Sequence, residues 1–156
     1  MFGVERVEDV AALIAQRCGG RVNVARLHVL LFYCQAWHVV FGGGRLFSAQ
    51  IQAWSSGPVV TRLMCAQGDL SVVGPEFFGG CSSRLSREAC DTVDAVLVGY
   101  GHLSPVELGE VSRSETPWLL ARARSGSVVG FASSAVVHIE DVREFYRRKY
   151  VGDALG

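Results

Sequence analysis

Residues 23–41 read NVARLHVLLFYCQAWHVVF. Asn23 suits the N-cap position, because its side-chain oxygen can accept from a backbone N–H of the first helical turn. Behind it, Leu27, Leu30, Leu31, Cys34, His38 and Phe41 fall on one helical face, and Val29, Phe32, Tyr33 and Trp37 make the rest of the circumference apolar. A helix that is apolar nearly all round is surrounded by others, so this segment is predicted to be the central helix of a bundle. Gln35 and His38 break the run and Gly42-Gly43-Gly44 ends it, short of the roughly 18 uninterrupted apolar residues of a membrane-spanning helix.

The flanks supply the rest of the bundle. Val7, Val10, Ala11, Ile14 and Cys18 recur at helical spacing and stop at Gly19-Gly20. The tripeptide Gln35-Ala36-Trp37 returns as Gln52-Ala53-Trp54, but in LFSAQIQAW (46–54), where Phe47, Ala49, Ile51 and Ala53 alternate as in an extended segment. The two settings share nothing further, and the repeat is read as coincidence. Ser55-Ser56-Gly57-Pro58 signals a turn, with Pro58 expected to open a helix carrying Val59, Val60, Leu63 and Met64. Residues 67–84 are Gly- and Ser-rich, with two exposed-looking Phe, and read as a loop with room for a short strand or turn.

Further on, Ser86 caps a helix with Val93, Val96, Leu97 and Tyr100 on one face. Ser104, Pro105 and Glu107 form a capping box with Pro at its first helical position. Thr116-Pro117-Trp118 is expected to repeat that cap-then-Pro device for a short helix ending near Arg124. A β-branched stretch near 134–138 is expected to pair with 49–54, and a last helix runs from about Ile139 to Tyr150. Its acidic start (Glu140, Asp141) and basic end (Arg147, Arg148, Lys149) suit the helix dipole. With no helix–strand alternation to suggest a parallel sheet, the expected fold is mainly α. It is a single domain over 1–156, a compact helical bundle with a small two- or three-stranded β-ribbon at its edge.

Bulk composition narrows the functional classes. The chain has 156 residues, zero formal net charge and a pI near 6.9, so no overall field draws it to nucleic acid or anionic lipid. Arg supplies 14 of the 15 basic residues, read as a coding bias, with Lys149 the exception. The five cysteines are scattered, odd in number and lack a C-x-x-C pair, which fits a reduced chain better than a disulfide framework. The acidic N-terminal MFGVERVEDV lacks the basic start and apolar stretch of a signal peptide, so a cytoplasmic location is expected, with no membrane partner.

Candidate chemistry is sparse. Cys34 and His38 share a helical face, which would be half a metal site, but the face is apolar and no second Cys/His pair stands at ligand spacing. A buried thiol and a hydrogen-bonded core imidazole are the expectation. Cys18, Cys65 and Cys90 fall on or beside faces that read as core, leaving Cys81 as the accessible thiol. FGGGR (41–45) lacks the Lys-Ser/Thr of a phosphate-binding loop, so its glycines read as turns. Arg143, Arg147 and Arg148 read as a solvated helix end, because no basic stripe extends beyond them. No catalytic residue, metal site or cofactor is expected.

Four ordered motifs carry a family resemblance: LLFYCQAWHVV, LFSAQIQAWSSGPVV, ELGEVSRSETPWLLAR and HIEDVREFYRR. In order and spacing, over roughly residues 7–150, they resemble the Panacea (SocA-like) antitoxin domain. The matching residues are Tyr33, Gln35, Trp37, His38, Trp54, Gly57, Pro58, Val59, Glu115, Pro117 and Trp118. Arg113 stands where that family usually has His, and Thr61, Leu63 and Met64 stand where Pro and an aromatic often follow the Gly-Pro-Val.

The resemblance implies an antitoxin, often encoded on prophages and mobile elements, that neutralises a cognate protein toxin by direct binding. The alternative it implies is a proteolytic adaptor that also binds a protease. Trp and Arg are favoured interface anchors, so the expected partner-binding residues are Trp54, Arg62, Arg113, Glu115 and Trp118, with Trp37 and His38 assigned to the core. Glu115 has a second reading, as a simple helix cap. The 67–84 loop is expected to be individual to this chain, as a partner-specific surface would be.

Overall fold

A computed structural model describes residues 3–126 and 135–152. Among these, seven α-helices surround one another: α1 (Val7–Arg17), α2 (Val24–Phe41), α3 (Thr61–Gln67), α4 (Arg87–Tyr100), α5 (Pro105–Arg113), α6 (Thr116–Ser125) and α7 (Ile139–Arg147), the last continuing into a π-helical turn, Arg148–Gly152. The mainly helical class and the small β-ribbon read from the sequence are both present.

Helix α2 is the axis. Asn23 caps it as expected, its side chain accepting from Arg26 N at 3.1 Å. From Leu27 to Ala36 every residue is buried, and α2 packs against α1, α4, α5 and α7. Its length of 18 residues matches a bilayer crossing, yet 67% of it is buried within the protein. Burying each large aliphatic or aromatic side chain stabilises by about 1.5–3 kcal/mol, so this one helix is a major source of the interior's stability. The buried circumference opens at both ends: Ala25 is exposed in the first turn, and in the last turns Trp37 and His38 are half-buried and Phe41 is 51% exposed. Trp37 and Phe41 pack against Tyr150 from the last turn, the first tilted at a ring separation of 5.2 Å and the second stacked at 6.2 Å.

Two antiparallel ribbons flank the bundle. Strand β1 (Val22–Asn23) pairs with β4 (Val72–Val73). Strand β2 (Ile51–Trp54) pairs with β3 (Gly57–Val60) through a two-residue loop, with Ala53 opposite Pro58 and Trp54 opposite Gly57. Residues 135–137 add a third line to β2, through Ala53 N to Ala135 O (2.8 Å) and Val137 N to Ile51 O (2.9 Å). This is the ribbon predicted between 49–54 and 134–138; position 134 lies outside the described residues.

Here one expectation is corrected. Pro58 does not open a helix: Gly57–Val60 is a strand, and α3 begins at Thr61. Ala53 directs its N–H to Ala135 and its carbonyl to Arg122, both away from β3. The Ala53–Pro58 pair therefore needs no ladder donor from β3, and a proline fits there without losing a hydrogen bond.

A second correction concerns α6. Glu115, not Thr116, occupies its N-cap, and the Glu115 side chain makes no capping bond. The caps at Ser86 and Ser104 are as expected, with the Ser104–Glu107 box closed at 3.1 and 2.9 Å. Cys65 is also corrected, being exposed on α3 rather than facing the core; Cys81 is exposed as expected.

Candidate functional site

The hairpin and the α5–α6 corner build one surface. Three backbone carbonyls of the hairpin tip, those of Ala53, Trp54 and Ser56, each meet a side chain. Arg122 donates to Ala53 O (3.1 Å), Trp118 Nε1 to Trp54 O (2.9 Å), and Arg113 to Ser56 O (2.8 Å). Trp54 turns its own indole N–H to Gln52 Oε1 at 3.0 Å. The Arg122 guanidinium lies 5.3 Å from the Trp118 ring centroid, within cation–π range. Gly109, in the middle of α5, leaves the space this requires. A Cβ there would stand 2.9 Å from both the Arg113 guanidinium and Ser56 O.

Trp54, Arg113 and Trp118, three of the five residues expected to bind a partner, thus converge on one half-exposed patch. Arg122 belongs with them and was not singled out from the sequence; its signal was its position four residues after Trp118, one helical turn further on the same face. Arg62 does not join them. It sits on α3 and bonds Glu8 Oε2 at 2.5 Å, tying α3 to the start of α1.

Glu115 is elsewhere again. It is 4% exposed, so the expected contact residue is an interior one. Its Oε1 accepts from the Tyr33 hydroxyl (2.5 Å) and the Tyr146 hydroxyl (2.7 Å), and its Oε2 from Lys149 Nζ (2.6 Å). Tyr33 stacks on Tyr100 at 3.9 Å, and Tyr100 meets Tyr150 hydroxyl to hydroxyl at 2.7 Å. Burial first, then the adjacent carboxylate, pushes the Tyr33 phenol well above its ordinary range, and burial does the same at Tyr146. Both are therefore neutral donors to a carboxylate. Partial burial opposes charge on Lys149, but its hydrogen bond and attraction to Glu115 outweigh that, raising its pKa. Glu115, Tyr33, Tyr146 and Lys149 join α6, α2, α7 and the terminal turn through one carboxylate. Lys149 was read as part of a basic helix end; being the chain's one lysine was the signal that it differs from its neighbours.

Other polar groups have structural partners. His28, buried on α2, accepts from Val60 N through Nδ1 (3.1 Å), so its proton is on Nε2, facing Gln67 Oε1 at 2.8 Å. Gln35 binds Phe47 O and Leu46 N, at 2.8 and 2.7 Å. Burial raises the Cys34 thiol, which stays protonated. His38 lies at the rim of an open cleft of about 830 Å³ with Gly42–Gly44, bonding Gly44 O (2.9 Å) and standing 3.3 Å from Glu88. Among the described residues, no three His, Cys, Asp or Glu side chains gather as a metal would need. The 67–84 loop is pinned to α1: Cys81 N donates to Asp9 Oδ1 at 2.8 Å, and Phe77 remains 42% exposed.

No family model, curated protein or solved structure matches this chain.

Proposed function

We propose that this chain is an antitoxin that neutralises a cognate protein toxin by binding it directly. The reading is supported by one observation above all: the Trp54, Arg113 and Trp118 side chains are gathered at a braced hairpin tip. Each is held by a hydrogen bond to or within that tip, so the patch is ordered before any partner arrives. A preorganised aromatic and guanidinium patch suits a binding module, because little side-chain entropy is lost on association. The four motifs that resemble the Panacea domain supply the class of partner. In this chain they meet at two places, the hairpin tip and the Glu115 cluster, so one motif set serves both the presenting surface and the interior that holds it.

The test is expression of the adjacent reading frame in a host, alone and together with this chain. Growth arrest by that product alone, relieved by co-expression and by complex formation in purified form, is the expected result. A neighbour that is harmless alone, or equally toxic beside this chain, sinks the proposal. Measuring toxin half-life separates blocking, which leaves it unchanged, from the adaptor alternative, which shortens it.

A further inference from the structure

The hairpin patch has a charge pattern that specifies its occupant. Each Arg carries five N–H donors, and Arg113 and Arg122 each commit a donor to a neutral backbone carbonyl. Among the described residues neither comes within 4.0 Å of a carboxylate, unlike Arg17, Arg62 and Arg124, which all do. The carbonyls fix the two guanidiniums in place without neutralising them. Trp54 and Trp118, both half-exposed, share the tip with them, the Arg122 guanidinium standing over the Trp118 ring, and α6 also exposes Leu119, at 48%. The result is an aromatic patch that carries two positioned cations.

We infer that this patch receives an acidic, apolar segment of a protein partner, with carboxylates on Arg113 and Arg122 and an apolar side chain against Trp118. The inference rests on the binding role proposed above and names the chemistry of what is bound. A guanidinium already held in one geometry loses little freedom when it takes a carboxylate, and its planar fork permits a two-pronged contact. A basic partner segment would instead bring like charges together beside two arginines that, among the described residues, have no carboxylate within 4.0 Å. Nucleic acid is disfavoured because two arginines make too small a cationic zone to follow a phosphate backbone.

The test uses the full chain and two short peptides, one alternating Glu and Leu, the other alternating Lys and Leu, with both termini blocked. The three indole N–H signals are followed by NMR, Trp37 serving as the internal control because it packs against Phe41 and Tyr150. The acidic peptide is expected to move the Trp54 and Trp118 signals and leave Trp37 in place. Its apparent affinity should fall at least about ten-fold in Arg113→Glu with Arg122→Glu, and fall as salt shortens the screening length to about 3 Å at 1 M. The basic peptide should move none of them. Should the charge-reversed chain fail to fold, the Arg113→Gln with Arg122→Gln variant replaces it. No response to the acidic peptide, an equal response to the basic one, or a response that survives both substitutions overturns the inference. Failure of the toxin co-expression would leave these titrations readable, so the two ideas fall separately.

Discussion

The Tyr33 hydroxyl donates a 2.5 Å hydrogen bond to Glu115, a residue 82 positions further along the chain. Tyr33 lies on the central helix and Glu115 at the start of α6, and the same oxygen takes the Tyr146 hydroxyl from α7. A single carboxylate therefore fixes how three helices meet. Its oxygens are satisfied, which makes the cluster costly to break from one side.

Glu115→Ala would leave two buried hydroxyls and the Lys149 ammonium without their acceptor. A loss of about 3 kcal/mol is expected, allowing for the exposure of Lys149, which can regain water. Urea unfolding followed by circular dichroism measures it; a change under about 0.5 kcal/mol, the range of ordinary surface substitutions, would contradict the role assigned here. Tyr33→Phe and Tyr146→Phe each remove one donor and should cost about 1–2 kcal/mol, with a double mutant that departs from additivity because both donors share one oxygen.

The chain's four tyrosines, Tyr33, Tyr100, Tyr146 and Tyr150, all have pKa values raised, with burial the leading cause. A phenol whose folded pKa lies above its unfolded value near 10 favours folding fully below that pH, and the contribution is lost as pH rises beyond it. Tyrosinate absorbance should therefore stay flat through pH 10 and then appear together with unfolding. Independent titration of two or more tyrosines in the folded protein would refute the buried cluster.

His28 has the opposite sense. Burial lowers its pKa, so the folded protein resists protonation that the unfolded chain accepts near pH 6.5. Its favourable contribution is complete above that value and declines as pH falls below it, by up to about 1.4 kcal/mol per pH unit. Stability measured from pH 7 to 5 should decline less steeply in His28→Asn than in the parent, although the variant starts lower for want of the Val60 and Gln67 bonds. Parallel slopes would show that other groups set the acid limit.

Gly80 passes so close to α1 that a Cβ there would meet the Glu8 carbonyl carbon at 2.3 Å, with only backbone in the way. Gly80→Ala should lift the 67–84 loop away from α1 and break the Cys81–Asp9 bond. The expected readout is faster proteolysis within that loop with α2 still protected from hydrogen exchange; unchanged cleavage would mean the loop is held by other contacts.

Local chemistry was legible in the sequence wherever one helix or cap contains its own cause. Asn23, Ser86 and the Ser104–Glu107 box bond to backbone within three residues, and the apolar circumference of α2 needs no partner to declare itself. Pro58 was misread because whether a proline may sit in a strand depends on which side the opposite residue turns its N–H, and that is set by residues 135–137 on the far side of β2. The interior role of Glu115 is hidden from the sequence for the same kind of reason. A carboxylate before Thr-Pro-Trp reads as a cap or a contact until Tyr33, Tyr146 and Lys149 arrive from 82, 31 and 34 positions away. By itself the sequence determined which segments are helical and which helix lies at the centre, since propensity, capping and periodicity act over a few residues. Tertiary structure alone decided which polar side chains are spent inside and which are gathered at the hairpin tip, because a charge or indole N–H is assigned by the partner it meets, and those partners lie far apart in the chain.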